Sequence, residues 1–302
     1  MDPIRITPAR GLAIAAWAAL AVSAQPARAA DALAPAQAQA PALGAKEITE
    51  RHATARGGVA AWKAVKSLEI SGKLEAGKGS TDAYAQQTIL AGKHLPGREG
   101  AIASAPPPGA AGSEGQQVRL PFTMDVQRPN RKRLEVQFAG KTAVQVSDGR
   151  QGWKLRPFLG KGEAEPYTPE ELKSESSPVE PEGLLVDAAA KGTRVTVEGM
   201  DAVEGRPAYR LRLDRKSGPV RHVWIDARTF LDVKVEGEPR VVDGKPREVT
   251  ILQRDFRLVG GVQIPFEIET SVAGTPDSHR MFIEKATLNP HLDDARFARP
   301  HA

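Results

Sequence analysis

From residue 67 to residue 288 the chain alternates apolar and polar side chains with a period of two. Leu68, Ile70 and Leu74 alternate with Glu69, Ser71 and Lys73, and Leu134, Val136 and Phe138 with Arg133, Glu135 and Gln137. The same rhythm returns around Val144 and Val146, from Tyr209 to Leu213, from Leu231 to Val235 and from Val262 to Ile268. Successive side chains of a strand point to opposite faces. The pattern therefore predicts strands with one apolar and one polar face, the habit of antiparallel sheets. Asp148-Gly149 and Asp243-Gly244 sit between such runs, as hairpin turns do, and Gly205-Arg206-Pro207 and Gly260-Gly261 supply further breaks. About ten strands in one meander are expected, a mainly β (α+β) fold on a curved antiparallel sheet.

Two stretches keep a helical spacing instead. Ile48, His52, Val59, Ala60, Trp62 and Val65 fit one helix face, interrupted by Gly57-Gly58. They predict two short helices, or one kinked one, over 45–66. In the second stretch, 168–191, Thr168-Pro169-Glu170-Glu171 places a capping residue, a proline and acid where a helix begins. Gly183 to Ala190 reads as a second short helix there. Residues 93–117, with Pro96-Gly97 and Pro106-Pro107-Pro108-Gly109, read as a long loop or insertion within a single domain over 45–302.

The front of the chain is an address. Arg5 and Arg10 precede an apolar run from Gly11 to Val22, and Ala27-Arg28-Ala29 fits the small-x-small cleavage rule. A cleavable signal peptide over 1–29 is expected, hence a periplasmic or secreted protein. An Ala/Pro-rich linker follows over 30–44. No later run is long and apolar enough to predict a transmembrane segment. Charge adds little: of 42 Lys+Arg and 37 Asp+Glu, residues 30–302 keep 39 and 36, a surplus of three. Together with few aromatic residues, this is no footprint for nucleic acid. The absence of Cys removes disulfides, thiolate metal ligands, a thiol nucleophile and a lipidated cysteine.

Chemistry-bearing motifs are absent. The six histidines show no metal-ligand spacing, and no nucleophile elbow, phosphate-binding lysine loop or dinucleotide fingerprint is present. No cofactor, metal or catalytic residue is expected. An enzymatic reading would need His222, Asp226 and His279 to converge. Asp293-Asp294 reads as a solvated surface pair. Arg128, Arg131, Lys132 and Arg133 flank Pro129-Asn130 and read either as a charged loop or as a docking patch for anionic lipid or an acidic partner. The apolar strand faces must be covered or must bind something. Trp62, Phe122, Met124, Leu134, Val136, Phe138, Trp153, Phe158, Phe266 and Ile268 are candidates to line an apolar cavity or simply to form the core.

In the order of its features the chain resembles the LolA/LolB-like outer-membrane lipoprotein-sorting proteins. The matching stretches are Ala55-Arg56-Gly57-Gly58-Val59-Ala60-Ala61-Trp62 with Ser67 to Gly72, and Val146-Ser147-Asp148-Gly149-Arg150-Gln151-Gly152-Trp153. They continue with Val203 to Leu211, Val223 to Leu231, Asp255 to Pro265 and Asn289 to Phe297. The resemblance implies an unclosed β-barrel with helices forming a lid over an apolar cavity. It implies a non-catalytic periplasmic carrier of lipoprotein acyl chains or another lipid. Related folds serve instead as envelope protein-interaction or stress-sensor modules. The family's lid-tying arginine has no motif here by which to place it.

Overall fold

The computed structural model describes residues 43–76, 119–157, 160–175, 178–216, 218–242, 244–275 and 278–301. The expected signal peptide, most of the linker, the 93–117 segment, Phe158 and Asp243 lie outside the described residues.

Two helices open this part, α1 (Ala45–Ala55) and α2 (Val59–Ala64), broken at Gly57-Gly58. The strands follow: β1 (Ser67–Ala76), β2 (Arg119–Gln127), β3 (Arg131–Phe138), β4 (Lys141–Ser147), β5 (Gly152–Arg156) and β6 (Lys161–Pro166). After helix α3 (Pro169–Glu175) come β7 (Arg194–Val203), β8 (Arg206–Asp214), β9 (Arg221–Asp226) and β10 (Asp232–Glu236). The last are β11 (Arg240–Val242), β12 (Lys245–Arg247), β13 (Val249–Val259), β14 (Val262–Val272) and β15 (Ser278–Leu288), then a 3₁₀ turn, Asp294–Phe297.

Thirteen strands form one antiparallel sheet in the order β6-β5-β4-β3-β2-β1-β15-β14-β13-β10-β9-β8-β7, and β11–β12 stand apart as a small hairpin. The meander is thus joined through its first and last strands, Leu68 facing Leu288 and Ile70 facing Ala286. Its free edges are β6 and β7, neighbours in sequence, so the sheet stays unclosed at that point. Tight two-residue turns make several of the hairpins: Ala139-Gly140, Glu204-Gly205 and Gly260-Gly261 all have positive φ. That is the backbone twist which joins right-twisted strands without splaying them.

Expectation and structure agree on the broken helix over 45–66, on α3 and on the strands named from alternation, but fifteen strands form among the described residues against about ten expected, two of them outside the large sheet. They differ at 183–190. That segment is a series of turns, not a helix, with Gly183 and Asp187 at positive φ. A physical reason lies in its burial: Leu185 and Val186, side by side in sequence, are both buried and join different apolar clusters. A regular helix would not serve both.

Candidate functional site

The register defines one helix-covered face across the whole sheet. Leu68, Ile70 and Leu74 of β1 face Val126, Met124 and Leu120 of β2 across the ladder. Phe122 faces Val136 and Met124 faces Leu134. On the other side of β1, Leu74 faces Met281 and Met281 faces Ile268. Trp62 of α2 and Val65 just after it, with Val186, cover this half. In the other half Ile48 of α1, Leu185 and Ala188 cover Tyr209, Leu211, Val223 and Ile225.

Eight of the predicted lining residues therefore share one cluster: Trp62, Phe122, Val136 and Phe266 are buried, while Met124, Leu134, Phe138 and Ile268 are partly exposed. The buried four behave as core. The partly exposed four, with Met281, leave apolar surface on the same face in two places, Met124 and Leu134 beside Ile70 of β1 and Ile268 and Met281 beside Leu74, with Phe138 at the far end of β3.

Trp153 is a correction. It lies on the opposite face, packed with Val144, Val146, Leu155, Leu292 and Phe297. The cause is register: Val136 faces Ala143, so Val144 and Val146 fall opposite Glu135 and Arg133, and Trp153 faces Val146. At β4 and β5 the large apolar side chains thus stand on the outer face, while Gln145, Lys154 and Arg156 take the inner positions. The outer face is covered here by the C-terminal 3₁₀ turn. Arg296 bonds the fully buried Asp125, and Arg133 donates 2.8 Å to the Arg296 carbonyl. A cavity of about 380 Å³ opens beside this turn, lined by Arg133, Arg296, Arg299, His291 and Asp293 among others. Two of its arginines are already matched, Arg133 to Glu135 at 2.6 Å and Arg296 to Asp125.

The basic run is likewise turned inward. Arg128 pairs with Glu182 at 2.6 Å and donates 2.9 Å to the Val65 carbonyl. Arg131 pairs with Asp294, and Lys132 reaches Glu175 at 3.3 Å. Glu182 is also held by Lys191 at 2.9 Å. Burial pushes its carboxyl up, but the hydrogen bonds from Lys191 and Arg128 prevail and hold it below the usual value. The run ties loops together more than it presents charge to solvent.

His222, Asp226 and His279 do not converge. His222 sits between Glu236 at 2.6 Å and Glu198 at 3.3 Å. Asp226 accepts the backbone N–H groups of Arg228 and Thr229. His279 lies on β15, four strand spacings from β9. Among the described residues no group of three or more His, Asp or Glu is placed to hold a metal ion. Asp293 pairs with His291 and Asp294 with Arg131, as surface groups.

What sequence reasoning missed is the fastening of the helices. Arg56, the C-cap of α1, is 2% exposed, donates 2.6 Å to Asp232 at the start of β10 and 3.1 Å to the Gln263 carbonyl of β14. Its guanidinium lies 5.2 Å from the Trp62 ring centre, and its own carbonyl accepts the Trp62 indole N–H at 2.8 Å. Gly57 follows at φ +103, where an added Cβ would stand 2.2 Å from the Gly261 carbonyl oxygen. One turn before Arg56, His52 is fully buried, with Nδ1 2.9 Å from the Phe230 carbonyl. Burial holds its pKa below the usual histidine value; nearby Asp232 opposes this and Arg56 adds to it. Only Gly57-Gly58 hinted at the close approach. The partner Asp232 is 176 residues away and has no local signature.

No family model matches the sequence, and no curated protein does. The structure is similar to LolA superfamily proteins. One is NE2245 from Nitrosomonas europaea, 12% identical, with 85% of this chain covering 99% of that one at a TM-score of 0.47. A putative outer membrane lipoprotein-sorting protein domain from Vibrio parahaemolyticus is 11% identical, covering 83% and 94%, at 0.46. A DUF1329 family protein from Desulfovibrio piger is 9% identical, covering 84% and 97%, at 0.49. At these identities the likeness concerns the fold.

Proposed function

We propose that this protein is a non-catalytic periplasmic carrier that holds an acyl chain, of a lipoprotein or another lipid, against the helix-covered face. The observation that carries the reading is the set of partly exposed apolar side chains Met124, Leu134, Phe138, Ile268 and Met281 on that face, packed against a buried core. Each methylene taken from water is worth about 0.8 kcal/mol, so ten buried methylenes supply about 8 kcal/mol before ordering costs. No catalytic group is needed for that. The periplasmic placement rests on the signal-like first 29 residues. A protein-recognition module working through the basic run is disfavoured, because Arg128, Arg131, Lys132 and Arg133 each have an acidic partner within the chain.

The test is native mass spectrometry of protein exported in its host and purified without detergent, followed by organic extraction. Co-purifying lipid or lipopeptide is expected. Leu134→Glu should abolish it while leaving the circular dichroism unchanged, because Leu134 is only partly buried. A clean apo mass, with no uptake of added lipid, overturns the reading.

A further inference from the structure

His52 is a titratable group in a place that tolerates only its neutral form. It lies on α1 with no exposed surface, and a carbonyl oxygen, which can only accept, stands 2.9 Å from Nδ1. Nδ1 therefore carries the proton in the neutral ring. Nε2 is buried and has no hydrogen-bond partner among the described residues. A second proton would have to go there, forming an imidazolium whose new N–H finds no acceptor.

The surrounding charges add to the cost. On its own helix the nearest is Arg56, one turn away; from the sheet it is Asp232 of β10; the turn before β10 contributes the Phe230 carbonyl, with Arg51 stacked 5.1 Å from the Phe230 ring centre. Asp232 is already spent on Arg56 at 2.6 Å, both side chains being almost wholly buried. A protonated His52 would make two cations compete for one buried carboxylate. It can relieve this only by reaching water, which requires α1, the 11-residue helix that carries it, to part from β10.

We propose that His52 is an acid-operated release for the N-terminal helices, its protonation detaching α1 from β10 and uncovering the sheet face beneath. The purpose of such a release rests on the carrier reading above; its occurrence does not. The sign follows from linkage. A buried base that charges more readily once released favours the released state as pH falls below the free histidine value of about 6.5. One proton shifts that equilibrium by at most about tenfold per pH unit.

Hydrogen–deuterium exchange on the full chain, corrected for intrinsic rates, tests this between about pH 7.5 and about pH 5.5, a span that brackets histidine titration. Peptides within 45–66 should lose several-fold to about tenfold of their protection over that span, nearly all of it below about pH 6.5, while peptides within 206–226 keep theirs. His52→Gln, and independently His52→Leu, should remove the dependence. Unchanged protection at 45–66, equal loss across the whole sheet, or the same pH response in both variants would overturn the proposal. Lipid extraction at pH 7.5 reads the carrier proposal separately. A protein that never holds lipid can still show the release, and one that holds it can fail to.

Discussion

Replacing Asp232 by Asn isolates what fastens the helices to the sheet. The side chain keeps its shape but loses its charge, and Arg56 is left as a guanidinium with 3% of its side chain exposed and no carboxylate at 2.6 Å. Exposed ion pairs are worth little, but removing one partner of a buried pair costs about 3–5 kcal/mol, because the other charge stays buried and uncompensated. The bond to the Gln263 carbonyl at 3.1 Å and the stacking on Trp62 remain, which argues for the lower half of that range. At roughly 2–4 °C per kcal/mol for a domain of this size, melting should fall by about 6–16 °C. Urea unfolding followed by near-ultraviolet circular dichroism gives the free energy directly. The double change Arg56→Met with Asp232→Leu should recover a good part of it, since an apolar pair avoids the desolvation penalty. A loss below about 1 kcal/mol in Asp232→Asn, the size of an exposed pair, would show that the pair is hydrated and would refute the reasoning.

Two further changes probe other joints. Gly57→Ala puts a Cβ 2.2 Å from the Gly261 carbonyl oxygen and forces a side chain to φ +103, so roughly 2–4 kcal/mol should be lost in the same denaturant assay. Phe297→Ala removes a ring that is 1% exposed on the outer face and should cost about 3–5 kcal/mol, with amide exchange rising first over β3 to β5.

Much of the fold was legible because alternation and turn chemistry are local. Leu134, Val136 and Phe138 announce a strand with one apolar face, and Gly57-Gly58 announces the break between α1 and α2. Trp153 was misplaced because alternation does not say which face two neighbouring strands share. Ala139-Gly140 carried that information: a two-residue turn sets Phe138 against Lys141, which puts Val144 and Val146 on the face away from Val136. Gly183 to Ala190 has helical composition, yet tertiary contacts overrode it, drawing Leu185 and Val186 into different clusters. Most of the apolar lining was recoverable as a set of residues. The division into buried core and partly exposed side chains was not, since it depends on where Trp62 and the 178–193 segment come to rest. The Arg56–Asp232 pair had no signature, because it joins residues brought together only by the finished sheet.

The seam between β1 and β15 also sets an order of events. Every other strand pair in the large sheet joins elements adjacent, or nearly so, along the chain, whereas Leu68 must find Leu288. Closing a loop of that size is the entropically slowest contact of the fold. The strands β1 to β6 and β7 to β15 are two hairpin arrays that can each zip locally. The apolar face they share is assembled only when the final strand becomes available. Until β15 arrives, half of that face has no neighbour. Until then β1 and β14 are unpaired edges, and the apolar side chains beside them, such as Leu68 and Ile264, lack their cross-sheet neighbours.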